Sequence, residues 1–177
     1  RKLAYSWELV ETDFGGGPEL VGVNTSHPNT IIAEALAARA IADFAQYSMV
    51  RREVRYGKNS RVDFLLEGEK LAPCYLEVKN VHMMRAPGCA EFPDAVTARG
   101  AKHLDELSAV AKSGARAALL FLVQIGSAQS VSLAEDIDPA YKAAFDRALA
   151  AGVEAFALTC RVSFEGIEIG GAVPVLG

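Results

Sequence analysis

The order of apolar and polar segments in this 177-residue chain predicts an α/β fold, a mixed sheet flanked by helices. Three observations carry the prediction. Residues 117–125 are a near-continuous apolar run, as expected of a strand covered on both faces. Three further strand candidates, residues 49–56, 61–66 and 74–81, are separated only by GKNS and EGEKLAP, both good turn material. Helical periodicity precedes that trio and recurs after it.

In chain order, residues 2–10 alternate well enough for a strand, and residues 20–23 make a short second one beyond the loop breaker at 15–18. Pro28 and Asn29 open a first helix, proline suiting its N-terminal turn and asparagine a cap. That helix is expected over residues 30–47, with Ile32, Leu36, Ala40 and Phe44 as its apolar stripe. A second helix spans residues 95–113, with Leu104, Leu107, Ser108 and Ala111 on one face, Asp94 as its cap and Gly114 beyond its end. A third helix follows Asp138-Pro139 and ends at Gly152. Residues 153–160 read as another buried strand, and residues 162–169 as a hairpin turning at Glu165-Gly166. The helical crossover from 74–81 to 117–125 makes those two strands parallel.

Composition sets the class. Hydrophobic residues are 51% and charged residues 23%, which excludes a disordered chain and matches a globular one. No apolar run approaches the roughly 20 residues that a membrane span needs, so no membrane partner is expected. The N-terminal RKLAYSWELVE alternates and carries charge, unlike a signal peptide. The length fits one domain over residues 1–177, with residues 1–25 as lead-in strands. Beginning with Arg1 rather than Met, the chain is expected to be a piece of something longer. Cys74, Cys89 and Cys160 form neither a disulfide framework nor a zinc knuckle, which points to a reducing cytoplasm, and Cys74 and Cys160 sit in core-like runs. The net charge of −4 excludes a uniformly basic surface, yet the window RREVRYGKNSR carries five basic residues and one acid. Arg51, Arg52, Arg55, Lys58 and Arg61 are therefore candidates to face phosphates.

That window leads into the residues that could carry chemistry. Arg61-Val62-Asp63 lies on one expected strand and Tyr75-Leu76-Glu77-Val78-Lys79-Asn80 on the next. Side chains at i and i+2 of a strand share a face, so Glu77 and Lys79 point the same way, and Asp63 joins them if the strands pair. Two carboxylates and the Val78 carbonyl are hard oxygen ligands suited to Mg²⁺ or Mn²⁺. Lys79 could hold the attacking water or compensate developing charge. An isolated E-x-K occurs by chance and reads equally as a solvated ion pair; here it lies within an apolar strand, where charges need a partner or a function. Arg99, His103 and Glu106 fall on one face of the second helix, away from its apolar stripe, and are expected to be exposed. Asn24, Thr25, Ser26 and Asn29 could approach a nucleic-acid backbone, but turn and cap duties already account for them. The histidines lack the spacing of a zinc site.

Asp63, Glu77-Val78-Lys79 and the order helix, three strands, helix, strand resemble the PD-(D/E)XK nuclease fold, with Val62 where that motif has proline. RKLAYSWELVE, VGVNTSHPN, SRVDFLL, CYLEVKNV, EFPDAVTARGAKHLDEL and AAGVEAFALTCRVSFEGIEIG resemble the sugar fermentation stimulation protein A family along the whole chain. The resemblance implies an OB-like domain ahead of this region, absent from this sequence, and DNA binding without sequence preference. It also implies a link to the regulation of sugar metabolism, especially of maltose. It gives Asp63 and Glu77 as metal ligands, Lys79 as the catalytic lysine, Glu34 as a first-helix acid at the metal, and Arg99 as a phosphate or metal-site contact. Two functions are open: a metal-dependent nuclease, or a DNA-binding regulatory module that uses the scaffold without turnover.

Overall fold

The computed structural model describes residues 4–57 and 60–176. Its centre is a six-stranded mixed sheet in the order β11-β10-β8-β5-β4-β3. Those strands are β3 (Met49–Tyr56), β4 (Ser60–Glu67), β5 (Cys74–Val81), β8 (Arg116–Val123), β10 (Glu154–Val162) and β11 (Ile167–Ala172). As the crossover requires, β5 and β8 are parallel, and β8 and β10 are parallel too. β8 shows why such a strand reads as one apolar run. Leu119, Phe121 and Val123 enter one core cluster, and Ala118, Leu120 and Leu122 enter the other.

Helix α1 (Pro28–Ala37) covers one face with Ile31, Ile32, Ala35 and Leu36. Helices α2 (Ala98–Lys112) and α3 (Pro139–Ala150) cover the other, with Leu104, Leu107, Tyr141 and Phe145. Asp138 starts α3 by accepting the Tyr141 N–H, and its second oxygen accepts the Thr97 N–H at the start of α2. One buried carboxylate thus ties two helix ends together. Cys74 and Cys160 are core residues as expected, and burial pushes both thiols up to about 12. No described helix is long and apolar enough to cross a membrane.

The structure departs from the sequence-based expectation in four places. The first strand, β1 (Leu9–Asp13), starts later than residue 2 and pairs with β2 (Pro18–Gly22), its turn held by Asp13, which accepts the Gly15 and Gly17 N–H groups. Residues 1–3 lie outside the described chain. α1 ends at Ala37 rather than running to residue 47, because Arg39 turns left-handed (φ 54°) and the Ala40 N–H returns to the Ala35 carbonyl. A separate 3-10 turn, Ala42–Phe44, follows. Thr97, not Asp94, caps α2, accepting the Gly100 N–H, while Asp94 pairs with His82. A second sheet has no counterpart in the expected elements: β6 (Met83–Ala86), β7 (Cys89–Phe92), β9 (Ser130–Leu133) and β12 (Val175–Leu176), in the order β12-β9-β7-β6.

Candidate functional site

The site forms where β4 and β5 part. Their ladder pairs Leu66 with Cys74, Leu65 with Tyr75 and Phe64 with Leu76, and ends there. One residue further on, the Asp63 side chain takes over from the backbone: Oδ2 accepts the Val78 N–H at 2.8 Å. Oδ1 accepts from Asn29 Nδ2, in the first turn of α1, at 2.7 Å.

The pleat breaks at the same point. Phe64 and Leu66 pack into the cluster beneath α1, but Val62 joins the opposite cluster, where Leu65 also lies. Strict alternation would keep Val62 with Phe64. On the neighbouring strand Val50 and Val54 are likewise divided between the clusters, and Glu53 between them has a φ of 54°. A non-glycine residue held there is strained by roughly 1–3 kcal/mol, the kind of outlier that clusters at functional sites. Asp63 consequently lies in the gap between strands, held by Asn29 of α1 and the Val78 N–H, and close enough to Glu77 for that charge to act on it.

Glu77 is only 3% exposed and sits on the α2 side of β5. Its Oε1 is doubly engaged. Lys79 Nζ donates to it at 2.8 Å, and His103 Nδ1 on α2 makes a short contact with it. Arg99 Nε–H donates to His103 Nε2 at 3.4 Å, which leaves Nδ1 as the ring nitrogen that turns a hydrogen toward Glu77. Glu77 Oε2 is buried and has no hydrogen-bond partner among the described residues. Tyr56 Oη and Glu106 Oε2 are buried and also without a partner among the described residues.

The two acids differ in charge preference. Burial pushes the Asp63 carboxyl above its ordinary value, and the charge of Glu77 pushes it further, against the opposing Val78 and Asn29 hydrogen bonds and the Lys79 charge. Burial works to raise Glu77 too, but the His103 hydrogen bond and the Lys79 charge outweigh it and hold Glu77 below the usual range. Burial, followed by the charges of Glu77, Glu106 and Asp63, holds the Tyr56 hydroxyl protonated. Negative charge is therefore concentrated here, with Lys79 the cation in contact with Glu77, an arrangement that a further cation would relieve.

The donor set suits a hard divalent ion. Asp63 and Glu77 Oε2 are oxygen donors, and the sequence adds the Val78 carbonyl. Among the described residues no three His, Cys, Asp or Glu side chains are placed to hold a metal ion. An ion held here would have to complete its shell with water or substrate oxygens, as Mg²⁺ commonly does.

Of the expected residues, the structure gathers Asp63, Glu77, Val78 and Lys79. It does not bring Glu34 to them. On a helix Glu34 lies about 140° round from Asn29, the α1 residue that reaches Asp63, and it lines a cleft of about 310 Å³ with Glu8, His27 and Phe164. The basic window is divided as well. Arg52 lies across the ladder from Phe64, with its guanidinium 5.8 Å from that ring. Past the break, Arg55 and Arg61 are exposed and face each other across the ladder, pointing away from Val54, Tyr56 and Val62. Arg51, which pairs with Glu67 at 3.6 Å, belongs to the other face. Lys58 lies outside the described residues. Arg99 touches the site only through His103.

Sequence reasoning missed Asn29, His103, Glu106 and Tyr56. Asn29 is no cap: the helix begins at Pro28, and the amide is spent on Asp63. His103 and Glu106 are inward-facing, because α2 is walled by β5 on one flank and by the β3–β4 hairpin on the next, where a side chain at Gly57 would meet Glu106 Oε1 at 3.0 Å.

Residues 26–166 match the family model described as the sugar fermentation stimulation protein RE domain. A sugar fermentation stimulation protein homolog from Azorhizobium caulinodans is 60% identical over 176 residues, covering 99% of this chain and 74% of that protein. A homolog of the same name from Methylorubrum populi is 52% identical, covering 99% and 71%. Among solved structures, that of Pyrococcus furiosus SfsA in complex with Ca²⁺ superposes with a TM-score of 0.82 over 95% of this chain and 76% of that one, at 23% identity. That match shows the fold, the mixed α/β architecture expected from the sequence. Together with the family model and the close relatives, it establishes that this chain belongs to the sugar fermentation stimulation protein family.

Proposed function

We propose that the chain binds DNA without sequence preference and hydrolyses its phosphodiester bonds at a site that takes Mg²⁺ or Mn²⁺. One observation carries this reading. Glu77 is buried and charged, with one oxygen engaged by two hydrogen-bonding groups and the other without a partner among the described residues, beside a second carboxylate whose charged form it disfavours. A buried charge left half-satisfied is costly unless something else completes it. Asp63, Glu77 Oε2 and the Val78 carbonyl would hold the ion, and a bound divalent ion supplies charge neutralisation and an acidified water.

The chain's own groups have definite parts. Lys79, held at 2.8 Å by Glu77, would offer its remaining N–H bonds to the attacking water or to a phosphate oxygen. Asn29 and the Val78 N–H fix the Asp63 carboxylate. Hydrolysis would form a bond from a water oxygen to phosphorus and break the bond to one sugar oxygen, the water's proton ending on the departing oxygen. Arg52, Arg55 and Arg61 would meet the strand's phosphates, so binding should weaken steeply with salt as counterions cease to be released. The Ca²⁺ named for the Pyrococcus furiosus protein is a hard cation of the class this donor set favours. The three free cysteines would suit a cytoplasmic setting, and the family's name, sugar fermentation stimulation, supports a part in sugar metabolism, of which maltose metabolism would be one case.

The test is cleavage of single- and double-stranded DNA with Mg²⁺ or Mn²⁺, comparing the chain with Asp63→Ala. Metal-dependent cleavage lost in the variant supports the reading. A second reading, a DNA-binding module without turnover, is favoured by the two-carboxylate donor set. DNA binding with no cleavage by either protein would establish that one instead.

A further inference from the structure

We infer that His103 is the residue that positions Glu77 for a cation, by committing Oε1 and leaving Oε2 as the oxygen able to meet one. This inference rests on the metal-site reading above and deepens it. A glutamate side chain has three rotatable torsions and two equivalent oxygens, so nothing in Glu77 itself decides which oxygen faces the site. Lys79 alone would not decide it either, because its flexible stem can follow the carboxylate. His103 is different in kind. It is 6% exposed and is carried by a helix anchored through Leu104 and Leu107 in the core and through Thr97 and Asp138 at its start. Its Nδ1 meets Glu77 Oε1. Its Nε2 receives the Arg99 Nε–H, which fixes the tautomer with hydrogen on Nδ1. The chain Arg99, His103, Glu77 thus ends on one oxygen of a buried carboxylate, and the other is the atom without a partner. Donors behind a metal ligand govern its orientation in this way, and their loss typically costs metal affinity roughly 10–100-fold.

A purely structural alternative exists, in which His103 serves only to satisfy a buried glutamate. The two separate on substitution. Mn²⁺ alone is titrated calorimetrically into the chain, into His103→Phe, which fills the space without a donor, and into His103→Asn, whose Nδ2 can stand where Nδ1 stood. Thermal melts are recorded in parallel. Mn²⁺ binding by the wild type, weakened roughly 10–100-fold in His103→Phe and recovered in His103→Asn, is the expected result. If His103→Phe does not fold, the comparison passes to Arg99→Ala, an exposed position. Arg99→Ala should then weaken Mn²⁺ binding while His103→Asn retains it. Equal Mn²⁺ affinity in the wild type and His103→Phe, or in the wild type and Arg99→Ala where that pair is used, overturns the inference. So does a loss in His103→Asn as large as in His103→Phe. A wild type that takes up no Mn²⁺ removes the metal-site reading itself and this inference with it, an outcome distinct from a failure among the variants.

Discussion

Two clusters of charged side chains in this protein are built from the same chemistry and finished differently. Arg85 donates to both oxygens of Glu91 and both oxygens of Asp136, at 2.6–2.8 Å. All four carboxylate oxygens there have partners, and the Arg85 side chain is 46% exposed. Glu77 is buried, Lys79 and His103 crowd onto one of its oxygens, and the other has no partner among the described residues. Completing an ion network in water gains little, since solvent screens it and would have satisfied the groups anyway. Leaving one incomplete in the interior is expensive. The difference teaches that the buried cluster is not there for stability.

Substitutions can sharpen or break that contrast. The largest effect is expected at Glu77. Glu77→Gln keeps the shape but removes the charge, and should lower Mn²⁺ affinity by more than the roughly 10–100-fold that an outer-shell partner costs; calorimetric titration reads it. Asp138 provides the opposite case, a buried acid with both oxygens used. Asp138→Ala should cost about 1–2 kcal/mol as a lost cap, with a melting temperature lower by roughly 2–4 °C per kcal/mol, and change Mn²⁺ affinity far less than Glu77→Gln does.

Asp63 should move stability the other way. Its carboxyl holds a proton more tightly folded than unfolded, so its charged form costs the native state stability. Wild-type stability therefore falls as pH rises from the ordinary value of 3.8 through the higher folded value. Asp63→Asn, whose amide can still accept the Val78 N–H if the Asn29 amide turns over, should melt higher at neutral pH, by about 0.5–2 kcal/mol. That advantage should shrink to nothing below about pH 3.8 in melts recorded across pH. The smallest effect is expected in the exposed cluster. Arg85→Ala should shift the melt little, less still at high salt, and leave cation binding untouched.

The features legible in the sequence are those that local period dictates. Glu77 and Lys79 share a face because strand side chains alternate, and β5, β8 and β10 are evident from their apolar content. Asp63 joins that pair, but not by the simple strand pairing the sequence suggests: the strands meet it by separating, and the break at Glu53 and Asp63 has no signature in composition. The end of α1 is hidden because its left-handed residue is Arg39 rather than a glycine. The second sheet is hidden because β6, β7 and β9 are four residues long, too short for alternation to register. His103 and Asn29 read as exposed and capping residues because each finds its partner more than 25 residues away in the chain. The basic window looks like one patch in the sequence, but strand alternation puts Arg51 on the face opposite Arg52, and the change of face within β3 brings Arg55 to the side of Arg52.

The central claim is that a cation stands between the two carboxylates and phosphate. DNA affinity measured with and without Ca²⁺, a hard cation that takes oxygen ligands, tests it most directly when wild type, Asp63→Ala and Lys79→Ala are compared. Two acids repel phosphate unless a cation intervenes. Ca²⁺ should therefore tighten wild-type binding, while Asp63→Ala binds metal-free DNA as well as or better than wild type and ignores Ca²⁺. Wild-type affinity indifferent to Ca²⁺, with Asp63→Ala weakening metal-free binding as much as Lys79→Ala does, would contradict the account and leave Asp63 a structural acid.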